Sequence, residues 1–540
     1  MRNLHFWVAN IFGLVIAAFA VAVLRIALAE SLWLDELHTS WTVSGAWQEI
    51  ASRAAAGNQT PLYFWLTGLL SLTLGQQSDW LLRLPSVVAW LLAIVLVAWR
   101  IRLKTPGEDA QGWLFALCVV SWIVLDRLQW FYATEARPYA LVQLVSLAGW
   151  CCVEGIVQSD GRPNRTRTLI LAWCLLSVVN VYLHLTAVLP VLLQWLVGGG
   201  LVLRKRGWQL RREQAVVTSG PTKPALNFAL TWSVAAVGVG VALLPILQLA
   251  FPVWQRRAQW ATFASDISLS KAIGMFPFIP VLVCVLIGCT ADRMCRFKGN
   301  TASTTTDSRW LWWSAMLGPW LLCWTVTAIG VAPVFHSRYV FASALPVFVV
   351  GAIELMRCRN GFIRWLTSLA VAVAIMCSQG SVSVWRAGYL VGNLRGEDWR
   401  AASRWVSERI EPGQPLLCSS GLIEANSIAG KPVRLPLDKG FAEYLSFPLL
   451  GVYRVVDRSG HDVSVTPLVG DYRQWASQVI ERLAEEPAQA RNLWLVYRGA
   501  LGRLKTKLAH LQVDLHQQGI RIEVTEPKGF GNLYVVELKR

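Results

Sequence analysis

The sequence predicts a polytopic α-helical membrane protein of about eleven spans with a C-terminal soluble α/β domain. Three observations predict it: an apolar composition, a set of apolar runs separated by alternately basic and polar connections, and a change of composition near residue 391. The 540-residue chain is 54% hydrophobic and only 15% charged, where average soluble domains carry about 25% charged residues. That deficit excludes a single soluble globular protein, a disordered chain and a coiled coil. The 29 tryptophans suit the boundary between lipid and water.

A span needs roughly 20 apolar residues. Runs of this kind occupy 6–29, 81–100, 112–126, 138–157, 168–183, 186–203, 226–250, 272–290, 309–330, 339–356 and 362–380, two of them short. The first has no small-residue cleavage site and runs into LAESLWLDE, so it reads as a retained span, not a signal peptide. The connections RIRLK, GRPNRTR, RKRGWQLRR, DRMCRFK and RCRN are dense in Arg and Lys, which places them in the cytoplasm. SLWLDELH (31–38), LDRLQWFYATEARPY (125–139), VYLHLT (181–186), VWQRRAQW (253–260) and APVFHSRY (332–339) then face outward. The N-terminus is expected inside and the tail outside, as in an integral inner (plasma) membrane protein with a periplasmic or extracellular tail. In a soluble chain the net charge of +17 would suggest nucleic acid. Here topology accounts for most of it, and no nucleic-acid partner is expected.

Most of the eleven cysteines sit inside apolar runs, and there is no CxxC pair or Cys/His cluster. This excludes a disulfide framework and a zinc site. The domains are expected at 1–390 and 391–540. In the second, Trp399, Ala402, Trp405, Val406 and Ile410 recur near helical spacing. PLLCSS (415–420), 493–499, 520–526 and 533–539 read as strands, the segments 471–486 and 502–519 as helices, and KGFGN (528–532) as a turn joining the last two strands. No GxGxxG or Walker pattern follows a strand, so a nucleotide site is not supported.

The chemistry is expected on the outer face. Asp35 and Glu36 lie just past the first span, where acids are costly unless they face water or a partner. A solvated acid pair or a helix cap is the structural alternative. Glu135, Arg137 and Tyr139 open the fourth span beside Pro138, and a local Glu–Arg ion pair would also explain the first two. Arg338 and Tyr339 start the tenth span, where they could equally be boundary anchors. His184 lies at the outer turn between spans five and six, Arg83 and Pro85 enter the second span, and Tyr63 begins an apolar stretch at 61–75 that suits an interfacial helix. Together these put acids, arginines, a histidine and tyrosines on one membrane face. Arg is the natural partner of phosphate, and a carboxylate can take a proton from an attacking hydroxyl.

The ordered motifs Asp35-Glu36, Thr60-Pro61-Leu62-Tyr63, Leu82-Arg83-Leu84-Pro85-Ser86, Glu135-Ala136-Arg137-Pro138-Tyr139, Tyr182-Leu183-His184 and Ser337-Arg338-Tyr339 resemble the glycosyltransferase family 39 type of membrane enzyme. These are GT-C-fold relatives of protein O-mannosyltransferases and of the lipid A aminoarabinose transferase. The resemblance covers about 1–390. The family often has His-Pro-Pro-Leu-Tyr where this chain has Gln59-Thr60-Pro61-Leu62-Tyr63, which removes a candidate site histidine. The resemblance implies transfer of a sugar from a polyprenyl-phosphate donor to an acceptor hydroxyl on a protein, lipid or glycan, by an inverting single displacement. It implies Asp35 as general base and Glu36 as orienting group. Arg137 and Arg338 would hold the phosphate, and Glu135 would orient Arg137 or bind sugar. Tyr139, Tyr339, His184 and Tyr63 would line the pocket. No cofactor is required by it, although a divalent cation near the acids and phosphate is compatible with it. The competing readings are a lipid-linked glycan polymerase or ligase, a transporter and a receptor. A transporter would show mid-membrane acids and an inverted repeat, and neither is visible in this chain.

Overall fold

The computed structural model describes residues 2–75, 78–105, 109–159, 163–214, 223–255, 268–296, 306–358, 360–379, 381–382, 395–422, 439–469, 472–485 and 492–539. Each of the eleven apolar runs contains a helix. Among the described residues, seven helices are long and apolar enough to cross a membrane: Asn10–Ala29, Asp79–Lys104, Tyr139–Gln158, Pro163–Leu183, Leu185–Lys205, Ser337–Met356 and Gly361–Ser378. The number rises to nine if two bent pairs, Gly112–Val124 with Arg127–Ala133 and Phe228–Ala242 with Leu244–Gln255, each count as one span. The first pair bends by 75° where Asp126 interrupts the apolar run and accepts the Leu128 N–H at 3.1 Å, capping the new helix. The two remaining helices of the expected eleven fall short for reasons of composition. Phe278–Arg296 is apolar only to Ala291, and Thr306–Ala328 carries Trp310, Trp312, Trp313, Trp320 and Trp324 in place of aliphatic residues. The protein is an integral membrane protein.

The chain forms two compact units: Met1–Leu24, Thr60–Tyr63 and Arg83–Ala387 in the first, and Arg25–Gln59, Phe64–Leu82 and Gly388–Arg540 in the second. In the first, two buried carboxylates fix the helix Thr306–Ala328. Glu154 takes Arg100, Lys104 at 2.8 Å and the Trp312 indole N–H at 3.1 Å. Glu354 takes Arg309, Arg357 at 2.8 Å and the Trp313 indole N–H at 2.9 Å. Charges within an apolar bundle persist only when paired in this way.

The second unit holds a mixed sheet of β1 (Leu416–Ser419), β2 (Val465–Pro467), β3 (Asn492–Arg498), β4 (Glu523–Val524), β5 (Lys528–Phe530) and β6 (Leu533–Lys539). Its order is β2-β1-β3-β6-β4, with β5 also on β6. β1 runs parallel to β2 and β3, and β3 pairs antiparallel with β6 in the register Leu495↔Val536. Period-2 alternation turns Leu493, Leu495 and Tyr497 to one face. There they pack with Trp475 and Val479 of the helix Tyr472–Glu485 and with Leu504, Leu508, Leu511 and Leu515 of Leu501–Gln517. Each fully buried side chain of this kind contributes about 1.5–3 kcal/mol. One sequence expectation needs correction. Lys528–Phe530 is a strand paired to β6, and the turn is confined to Gly531 and Asn532. The three-residue β2 was not predicted, because it is too short to show alternation. Gly531 has φ +75°, and a Cβ there would meet the Gly396 carbonyl oxygen. Glycine is therefore required both by the left-handed turn and by the close approach of a second strand of backbone.

Candidate active site

The first unit brings together most of the residues singled out in the sequence. The short helix Arg127–Ala133 ends at Thr134, whose hydroxyl donates to the Trp130 carbonyl at 2.9 Å. A tight turn follows, with the Arg137 N–H on the Glu135 carbonyl at 2.7 Å. Pro138 then caps the helix Tyr139–Gln158. This folds Glu135, Arg137 and Tyr139 into the interior, all at most 2% exposed. Arg338 and Tyr339 come from a separate one-turn helix, Ser337–Val340, capped by His336, whose Nδ1 accepts the Arg338 N–H at 3.4 Å. The loop before it is pinned by Thr327, whose hydroxyl oxygen accepts the N–H groups of Val334 and Phe335 at 3.0 and 2.8 Å.

Tyr132 joins the two motifs through a 2.8 Å hydrogen bond between its hydroxyl and that of Ser337. The Tyr132 and Tyr139 rings meet at 5.3 Å, Tyr139 meets His184 at 5.5 Å, and His184 meets Tyr339 at 5.6 Å. The Arg338 guanidinium lies over the Tyr339 ring at 5.1 Å, a cation–π contact. Both Arg338 and Arg137 act on His184. Tyr63 is fully buried, 3.4 Å from the Ser86 hydroxyl, which donates to the Arg137 carbonyl at 2.9 Å. It therefore supports the Arg137 turn. Arg83 is fully buried as well.

His184 caps the turn Leu185–Ala187, with Nδ1 accepting the Thr186 N–H at 3.3 Å and 2.8 Å from the Thr186 hydroxyl. Burial, reinforced by the two arginines, pushes its pKa down to about 3. Like charges and desolvation both disfavour a cation here. The ring is neutral at physiological pH, and because Nδ1 accepts, the proton sits on Nε2 as a donor. Two guanidiniums, a neutral imidazole donor and buried tyrosines form a preorganised setting for an anionic group.

Asp35 and Glu36 belong to the second unit. They occupy the first turn of the helix Leu34–Ser44. Asp35 is partly exposed and Glu36 is fully buried. Glu36 accepts the Trp33 N–H at 3.3 Å, closing the helix start, and lies 3.9 Å from Arg395. Arg395 also pairs with Glu30 at 2.8 Å. Glu36 thus acts on the loop that carries Asp35. Among the described residues no group of three or more His, Cys, Asp or Glu is arranged to hold a metal ion. With Glu36 committed to Trp33 and Arg395, this donor set does not fit a divalent cation.

Sequence reasoning missed the group that holds this loop. Glu397 is 5% exposed. It accepts the Leu34 N–H at 3.2 Å, the Trp399 indole N–H at 3.1 Å and two N–H groups of Arg498 at 2.7 Å. Ser31 donates to the Glu397 carbonyl at 2.8 Å and accepts the Trp399 N–H at 3.2 Å. The only signal was an acid in RGEDWR, which read as part of an amphipathic helix start.

No family model matches the chain, and no curated protein matches it in sequence. Among solved structures it is similar to ArnT from Cupriavidus metallidurans bound to undecaprenyl phosphate, at 14% identity and a TM-score of 0.45 over 97% of both chains. It is also similar to the Archaeoglobus fulgidus oligosaccharyltransferase in complex with zinc and sulfate, at 11% identity and a TM-score of 0.42. That likeness covers 89% of this chain and 67% of the other. A further likeness is to the archaeal oligosaccharyltransferase AglB from the same organism with an inhibitory peptide and a dolichol-phosphate, at 9% identity and a TM-score of 0.36 over 90% and 69% of the chains.

Proposed function

We propose that the protein transfers a sugar from a polyprenyl-phosphate donor to an acceptor hydroxyl at the outer face of the membrane. The observation that carries this reading is the convergence of Arg137 and Arg338 on a neutral His184, walled by Tyr139 and Tyr339. Two arginines suit a phosphate that must gain charge as it leaves. The acceptor oxygen bonds to the anomeric carbon as the bond from that carbon to the phosphate oxygen breaks, and the configuration inverts. Polyprenyl phosphate departs with the bonding pair. The acceptor proton passes to Asp35, assigned as base on the motif resemblance, and Glu36 orients the loop. Glu135 sets Arg137, and Tyr63 supports that turn through Ser86. No step is routed through a metal. On this reading the protein sits in the inner membrane with its N-terminus cytoplasmic and its C-terminal domain extracytoplasmic.

The test is transfer of label from a panel of polyprenyl-phosphate sugars by the purified protein in lipid, beside Asp35→Asn. Loss of a positioned base costs about 10²–10⁴ in rate. Asp35-dependent release of polyprenyl phosphate supports the reading. Turnover only with a lipid-pyrophosphate oligosaccharide would replace it with a glycan polymerase or ligase. Wild-type rates in Asp35→Asn would remove Asp35 from the mechanism.

A further inference from the structure

A recess of about 420 Å³ lies within the second unit, lined by no residue given a role above. Its volume falls in the range of about 300–1,000 Å³ typical of ligand pockets. Its charged lining is three arginines, Arg400, Arg404 and Arg454, against one carboxylate, Asp79. Asp79 is already neutralised. Arg400 pairs with it at 2.5 Å, and the Tyr453 hydroxyl donates to it at 2.5 Å. Arg400 also donates to the Ala29 and Glu30 carbonyls at 3.0 and 3.4 Å, so it builds the wall.

The other two arginines are available to a ligand. Arg404 stands one helical turn beyond Arg400 on Trp399–Ser407, is exposed, and has no ion-pair partner among the described residues. Arg454 contacts Asp462, but both side chains are more than half exposed, and such surface pairs are weak. The Ser78 hydroxyl, also on the recess, is buried with no hydrogen-bond partner among the described residues, a state that costs energy until a partner arrives.

The remaining lining fixes the depth. Leu28 lies in the last turn of the candidate span Asn10–Ala29, and Trp80 lies in the first turn of the candidate span Asp79–Lys104. Both are exposed. The recess therefore sits where two spans end, at the level of lipid headgroups, with an aromatic anchor of the kind found there. We propose that it binds a phosphate group carried on an anionic membrane lipid, held by Arg404, Arg454 and the Ser78 hydroxyl. It is distinct from the arginine pair assigned to the donor, and it does not depend on the proposed reaction.

The test uses the full chain in detergent, titrated with phosphatidylglycerol, with a diacylglycerol of the same chains, and with inorganic phosphate. Phosphatidylglycerol is expected to bind and the diacylglycerol is not. The double variant Arg404→Gln/Arg454→Gln should lose roughly 30-fold in phosphatidylglycerol affinity, at about fivefold for each arginine at a lipid surface. Arg503→Gln/Lys505→Gln removes the same charge from an exposed helix outside the recess and should change nothing. Equal losses in both double variants, or none in the first, would overturn the proposal. Inorganic phosphate binding as tightly as the lipid would overturn the lipid as the source. Unchanged melting of both variants checks the fold.

Discussion

Truncating Glu397 to Ala is expected to loosen the second unit by about 3 kcal/mol and to displace the loop that carries Asp35. Glu397 has 2% of its side chain exposed and gathers two N–H groups of Arg498 on one oxygen and an indole N–H and the Leu34 backbone N–H on the other. Breaking a buried pair by removing one partner costs about 3–5 kcal/mol, because the other charge is left uncompensated. Arg498 is one-quarter exposed, so water recovers part of its solvation and the lower end of that range applies. The orphaned Leu34 N–H adds to the loss. At about 2–4 °C per kcal/mol for a unit of this size, melting of the full chain in detergent should fall by roughly 6–12 °C. Pairing the change with Arg498→Met removes the stranded charge, so Glu397→Leu/Arg498→Met should be less destabilised than Glu397→Ala. Amide hydrogen exchange at Leu34 gives a local readout and should accelerate in Glu397→Ala. A melting change below about 2 °C with Leu34 exchange unaltered would refute the assignment of Glu397 as the group that fixes this loop.

Other consequences follow from the same geometry. Arg338→Ala should weaken donor binding by about 10- to 100-fold, the worth of one charge-assisted hydrogen bond set to a phosphate; an unchanged affinity for polyprenyl phosphate would remove Arg338 from the phosphate site. His184 is held near pKa 3, below the ordinary 6.5, so the unfolded chain binds its proton first as pH falls. Its contribution to stability is full above about pH 6.5 and is lost progressively towards pH 3. His184→Gln should flatten that part of the stability profile, measured by melting across pH. Gly531→Ala should cost about 1–2 kcal/mol from the left-handed backbone alone, with more from the Gly396 carbonyl. Gly502→Ala, in a helix with nothing near its added carbon, should be neutral or slightly stabilising.

The motif residues illustrate how far local pattern carries. The apolar runs, the basic connections and the strand–helix alternation of the tail are legible because each depends on neighbours in sequence: a span on about 20 consecutive residues, a strand on period two, a helix on i, i+4. Glu135, Arg137 and Tyr139 were legible as one group for the same reason, since they share a turn beside Pro138. Their meeting with His184 and with Arg338 and Tyr339 was an expectation drawn from topology and from the family resemblance.

Other features had no local signature. Glu397 is one acid among 33 Asp and Glu until folding sets Leu34, Trp399 and Arg498 around it. Tyr132 gains its role only from Ser337, 205 residues away, and Tyr63 only through Ser86. Apolar run length in the sequence determined which segments enter the bilayer, and periodicity which form the sheet, because burial of apolar surface acts on every residue of a run. The tertiary structure alone decided which charges are paired and which are left for a ligand, because an ion pair or hydrogen bond needs two atoms within a few ångströms, and sequence separation says nothing about that distance.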